Sequence, residues 1–168
     1  MSAENGKNLI LRAWNRLERV TPLKTDCGVL CSFACCRGDS ETGMYLFPFE
    51  RELLEDKEYF KILDCRGNSG YPMVVCNGEC ERRFRPLACR VFPYFPVIND
   101  DGTFDARRDP RATQLCPLLS ESIAPEYVFT AQVRRVARIL CQNDELRHYV
   151  IGINEMLDDI ESLSKRLL

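Results

Sequence analysis

The sequence predicts an α+β fold: a small irregular core with short strands and a hairpin, set between packed N- and C-terminal helices. Three observations carry this expectation. Apolar residues recur at helical spacing at both ends of the 168-residue chain. The stretch between them, 23–119, shows no long period and holds most of the glycines and prolines. It also holds nine of the ten cysteines, and Cys27, Cys31, Cys35 and Cys36 fall within ten residues. A segment too irregular for an ordinary sheet core needs another organising device, and thiols at this density supply one by binding metal.

Each element follows from a local signal. From Lys7 to Val20 the positions Leu9, Ile10, Ala13, Trp14 and Leu17 line one helical face, and Thr21-Pro22 stops the pattern. Pro48 suits the first turn of a short helix through Leu54. Tyr59–Leu63 and Met73–Cys76 read as short strands. Tyr94–Ile98 and Thr103–Ala106, joined by Asn99-Asp100-Asp101-Gly102, read as a hairpin. Gly67-Asn68-Ser69-Gly70 reads as a turn between strands and not as a phosphate loop. Phe129, Val133, Val136 and Leu140 share a helical face. Asn143-Asp144 offers a break and a cap. Beyond it Leu146, Val150, Ile153, Leu157, Ile160, Ser164 and Leu167 keep heptad spacing. A helical pair packed on the core is preferred to a coiled-coil seam, because Gly152 and Ser164 interrupt so short a repeat.

The chain is expected to be one domain, 1–168, with a cysteine-cluster core over 21–120 and a helical segment over 121–168. Apolar residues make up 45%, enough for a core. Net charge is −2 and the isoelectric point about 5.6, which argues against nucleic acid or an anionic membrane as partner. Between Arg82 and Arg111, seven arginines against four aspartates make a locally basic stretch. The polar start of the chain lacks an export signal, and no apolar run of about 18 residues marks a membrane span. The expected location is therefore the cytoplasm, where thiols stay reduced and dense cysteine points to metal or redox chemistry before disulfides.

Thiolates are soft donors that favour zinc and iron over magnesium or calcium. The candidate ligands are Cys27, Cys31, Cys35, Cys36, Cys76, Cys80, Cys89 and Cys116. If 27–36 were helical, Cys27, Cys31 and Cys35 would share a face and Cys36 would diverge, which suits two neighbouring sites or one cluster with several metals. The spacings match no standard ferredoxin run, although an iron–sulfur cluster stays open, and the absence of C-x2-C argues against a dithiol exchanger. Cys141 is expected to be a packing residue; Cys65 suits either role. Asp39, Glu41 and Glu50 are near enough in sequence to be further ligands. Arg37, Arg85 and Arg90 are placed to donate hydrogen bonds to sulfur and offset its charge, whereas Arg82 and Arg83 suit a solvated surface equally well. His148 is the only histidine, so a catalytic triad or histidine-based zinc hydrolase finds no support.

Cys27-x3-Cys31-x3-Cys35-Cys36, then Cys76 and Cys80, then Arg85-Pro86-Leu87-Ala88-Cys89-Arg90-Val91-Phe92-Pro93, resembles the YkgJ-like cysteine-cluster family, and Cys116-Pro117 is similar to a further Cys-Pro of that family. The likeness spans roughly Cys27 to Pro117. The resemblance implies a zinc- or iron-chelating domain. Flagellin lysine methylases carry a similar cluster, so the module implies no single activity. Three function classes follow: a metal-binding protein whose cluster is structural or chelating, which is preferred; an iron or iron–sulfur enzyme acting on a protein or small molecule; and a metal-stabilised scaffold whose helical tail recruits a protein partner.

Overall fold

The computed structural model describes residues 3–25, 27–37, 42–64, 70–78 and 80–166. Helix α1 (Ala3–Arg16) buries Leu9, Ile10, Ala13 and Trp14. Its last turn is finished by Leu17–Arg19, short of the expected Val20. The reason lies far along the chain. Arg82 donates from Nε to the Glu18 carbonyl at 2.6 Å and from Nη2 to those of Leu17 and Val20, both at 3.1 Å. A guanidinium thus meets carbonyls that a helix leaves open at its C-terminal end.

The middle of the chain is short pieces, as the irregular text predicts. Strands β1 (Met44–Tyr45), β2 (Phe60–Leu63) and β3 (Met73–Cys76) form an antiparallel sheet in the order β1-β3-β2, with Phe60 opposite Cys76 and Met44 opposite Val74. The expected helix from Pro48 is a single 3-10 turn, Arg51–Leu53. Residues 27–36 are not an α-helix. They fold as 3-10 turns at Cys27–Val29 and Ala34–Cys36, separated by Ser32 and Phe33 at φ of 51° and 58°. Two successive left-handed residues break the ladder that would have stacked Cys27, Cys31 and Cys35 on one face.

Helix α2 (Leu87–Val91) leads into the hairpin β4 (Tyr94–Ile98) and β5 (Phe104–Arg108). Its turn is held by Asn99, whose N–H donates to the Thr103 carbonyl at 2.9 Å, and by Gly102 at φ of 78°. Helix α3 (Pro117–Ser120) is one turn opened by Cys116. Helices α4 (Tyr127–Leu140) and α5 (Asp144–Arg166) meet at Asn143, whose Oδ1 accepts from the Leu146 N–H at 3.1 Å as an N-cap.

α4 packs on α1 and on both hairpin strands, and α5 closes over β4. Phe129, Val133, Val136 and Leu140 are fully buried, as are Leu146, Val150 and Leu157, with Ile153 nearly so. That apolar stripe is consumed by the chain's own core. Ile160, the next heptad position, is half-buried against that core, Ser164 is exposed, and Leu167 lies outside the described residues. Among the described residues no helix is long and apolar enough to cross a membrane.

Candidate functional site

The cysteine region is held by buried polar contacts that tie it to α1. Glu50 is fully buried beneath the turn that follows β1. Its Oε1 accepts from Trp14 Nε1 on α1 at 2.8 Å and from the Leu87 N–H at the start of α2 at 2.5 Å. Its Oε2 accepts from the Phe47 N–H at 3.2 Å. One carboxylate therefore joins three stretches of chain and sets where α2, the carrier of Cys89, begins. Burial pushes the Glu50 pKa up to about 7 against the pull of these donors and of Arg90.

Arg90, one turn of α2 further on, is buried too. It donates to the carbonyls of Arg85 and Arg82, both at 2.6 Å, and of Arg83 at 2.9 Å, and it pairs with Glu18 at 2.6 Å. Its guanidinium also lies over the Trp14 ring, 5.0 Å from the centroid. These bonds wrap the chain between Cys80 and Cys89 around a cation that cannot leave. Arg90 was expected to reach sulfur; it grips backbone instead.

The candidate thiols line two adjoining cavities. Cys27, Cys31 and Cys116 face a cavity of about 80 Å³, Cys76 and Cys80 face one of about 280 Å³, and Cys35, Cys36 and Cys89 line both. The walls are otherwise apolar residues and arginines, with Thr21 in the smaller cavity and Thr42 in the larger, and among the described residues neither cavity is lined by aspartate, glutamate or histidine. The described cysteines are unbridged thiols. Cys65 and the acidic candidates Asp39 and Glu41 lie outside the described residues.

The thiols act on one another. Cys35 is held up chiefly by its hydrogen bond with Cys36, then by burial, then by the charges of Cys36, Cys89 and Cys31. Burial raises Cys89, with Cys36 and Cys80 adding to it and Arg85 opposing. Burial raises Cys76, which the Gly78 N–H lowers, and Cys80 and Cys36 raise it again. Cys116 is raised by burial and by Cys31, and lowered by the N–H groups of Leu118 and Leu119. Thiolates this close resist forming together unless a cation sits between them.

That crowding, and a donor set of sulfur alone, fit a thiophilic ion such as zinc or iron. In the present conformation no group of three or more His, Cys, Asp or Glu among the described residues already stands where it would hold a metal ion. The walls therefore supply the donors without yet closing on a centre.

The other sequence-predicted residues sort clearly. Glu50 is neither solvated nor in the thiol cavities; it is a buried structural acceptor. Arg85 lines both cavities and is the cation that acts on Cys89. Arg37 lines the larger cavity at the surface, and Arg83 is exposed beside Glu81. Arg82 is half-buried on α1, not solvated. His148 is exposed on α5, and Cys141 is half-buried at the end of α4. Missed altogether was the pair of Asp109, 1% exposed, with Arg111, which also lines the larger cavity. The Asp-Pro-Arg text of a 3-10 turn capped by its aspartate was the available signal. No protein-family model, curated protein or solved structure matches the chain.

Proposed function

We propose that this chain is a metal-binding protein that holds zinc or iron through its cysteine cluster, the chemistry that its motif likeness to the YkgJ-like family implies. One observation carries the reading. Eight thiols from four stretches of sequence, as far apart as Cys27 and Cys116, line two adjoining cavities that no aspartate, glutamate or histidine among the described residues lines. Bound metal would supply positive charge to thiolates that otherwise oppose one another, and its affinity would add to the stability of a core built of short, irregular pieces. Arg85 would offset the surplus negative charge of a thiolate site. The reading suits a reducing, cytoplasmic setting in which the thiols stay available.

The test is metal and acid-labile sulfide analysis, with an absorbance spectrum, on protein purified without oxygen. The expected result is zinc or iron at more than about half an equivalent per chain, as tight thiolate sites retain their metal. Sulfide with visible charge-transfer bands identifies an iron–sulfur cluster, and its absence with zinc identifies simple thiolate sites. A folded, fully reduced and metal-free protein that also fails to take up either ion refutes the proposal.

A further inference from the structure

α1 and α4 together present a row of arginines that no carboxylate of the described residues neutralises. The two helices run antiparallel. At one end the Arg12 guanidinium donates to Gln142 Oε1 at 3.2 Å, and at the other the Glu126 N–H donates to the Pro22 carbonyl at 2.8 Å. Leu9, Ile10, Ala13 and Trp14 turn one face of α1 inward. Arg12, Arg16 and Arg19, spaced i, i+4 and i+7, fall on one exposed flank, the flank that meets Gln142. On α4, Arg134 and Arg138 lean towards the hairpin, onto Asp105 and the Phe104 ring, which leaves the exposed Arg135 on the side of α1. Elsewhere arginines are matched by carboxylates: Arg90 by Glu18, Arg107 by Asp158 and Glu161, Arg111 by Asp109. Here Arg12 bonds the neutral Gln142, and the side chains of Arg16, Arg19 and Arg135 make no hydrogen bond or ion pair with any described residue. Glu126, Asp144 and Glu145, at the two ends of α4, form no ion pair with the row.

We propose that this face docks an acidic helix of a partner protein, with carboxylates at i, i+4 and i+7 opposite Arg12, Arg16 and Arg19 and a further one within reach of Arg135. Like charges at i, i+4 repel along a helix, so the row costs the free chain stability that a carboxylate-bearing partner restores. The planar guanidinium takes a carboxylate bidentately, which sets register as well as charge. The row runs about 10 Å along α1, and side chains on a partner helix repeat at the same rise. A long polyanion or an anionic bilayer would overlap the surroundings of a chain whose net charge is −2, whereas a short acidic helix stays within the row. Pairing with α5 of a second copy is disfavoured, because its Asp158 and Glu161 are already held by Arg107. None of the four arginines lines a thiol cavity, so the docking face does not depend on metal binding.

Fluorescence anisotropy on the full chain tests the face with two labelled alanine-based helical peptides. One carries glutamates at i, i+4, i+7 and i+11; the other has the same composition with its glutamates spread around the helix. The one-faced peptide should bind at least about tenfold tighter than its isomer, and its affinity should fall as salt rises. Arg16→Glu and Arg135→Glu should each weaken it about tenfold or more, while Arg166→Glu, at the C-terminal end of α5, should change it less than about twofold. Should a charge reversal not fold by circular dichroism, Arg16→Gln and Arg135→Gln remove the charge alone and should still weaken binding where Arg166→Gln does not. Equal binding of the two peptides, an equal loss from the Arg166 variants, or no binding at all overturns the proposal. Tighter binding of single-stranded RNA or of phosphatidylserine vesicles through the same arginines also overturns it, and assigns the face to a phosphate backbone or a membrane. Self-association in sedimentation velocity that Arg135→Glu abolishes assigns the face to a second copy and overturns it likewise.

Discussion

Replacing Glu50 separates two effects that act on the same buried carboxylate. Its side chain is fully buried and burial holds its pKa near 7, against 4.5 for an ordinary glutamate. At about 1.4 kcal/mol per unit, that difference is a linkage of roughly 3 kcal/mol. The sign follows from which state ionises first. Below pH 4.5 the group is protonated folded and unfolded, so it adds no pH dependence. From there to pH 7 the unfolded chain loses the proton while the folded one keeps it, so stability falls as pH rises. Above pH 7 the full cost persists. Glu50→Gln keeps an acceptor for Trp14 and Leu87 and cannot ionise, so it should lack this slope. Glu50→Ala strands the N–H groups of Trp14, Phe47 and Leu87, at roughly 1–3 kcal/mol for each buried donor left unpaired. Urea unfolding followed by circular dichroism at pH 5 and pH 8 measures both. Between those conditions the wild type should lose roughly 2–3 kcal/mol more than Glu50→Gln does, since part of the linkage is already spent by pH 5. At pH 5 Glu50→Ala should be several kcal/mol less stable than wild type. Parallel pH profiles for wild type and Glu50→Gln would refute the linkage argument. A Glu50→Ala protein within about 1 kcal/mol of wild type would refute the role of the carboxylate as the joint between α1 and α2.

Other substitutions test the remaining frame. Arg82→Ala should cost roughly 2–4 kcal/mol, because charged donors to the carbonyls ending α1 are lost, whereas Arg83→Ala should stay within about 0.5 kcal/mol as an exposed ion-pair partner; equal urea midpoints would contradict this. Gly6→Ala should destabilise α1 although alanine is the better helix former by about 1 kcal/mol. The added Cβ would stand 2.3 Å from Phe49 Cδ2, and overpacking of that kind costs about 1–3 kcal/mol; a raised melting temperature would show that the ring moves aside freely. Cys89→Ser should lower the melting temperature of metal-loaded protein well beyond Cys141→Ser, and a chelator should bring the wild type down towards Cys89→Ser. Equal shifts for both cysteines, with no effect of chelator, would count against Cys89 as a ligand.

How much was readable depended on whether the signal was local. The faces of α4 and α5 were readable because Phe129, Val133, Val136 and Leu140, and then Leu146, Val150 and Ile153, repeat at the period that burial on one side demands. The hairpin was readable from Asn99 to Gly102, where turn chemistry is confined to a few residues, and its second strand ran on to Arg108 only because Tyr94 pairs there. β1 was not, since a strand of two residues exists by virtue of β3 beside it. The run at 27–36 misled through its spacing. Cysteines four apart mimic a helical stripe, yet the backbone at Ser32 and Phe33 turns left-handed. Glu50 was opaque for the opposite reason. Its partners Trp14 and Leu87 are 36 and 37 residues away, so nothing beside it in sequence announces a buried joint. The thiols were conspicuous by residue type, while their distribution between two cavities needed the fold.

Trp14 is the chain's single tryptophan. It is nearly buried, its indole N–H rests on Glu50, and its ring lies under Arg90. Indole emission responds to nearby charge and to the packing of its surroundings. The molecule therefore carries its own optical gauge, one hydrogen bond from the carboxylate that seats α2 and a short helix away from Cys89. Protonation of Glu50 and any shift of α2 that accompanies loading of the thiols should each change that emission. Both events can then be followed in the native sequence without a label, in the same cuvette and on the timescale at which they occur.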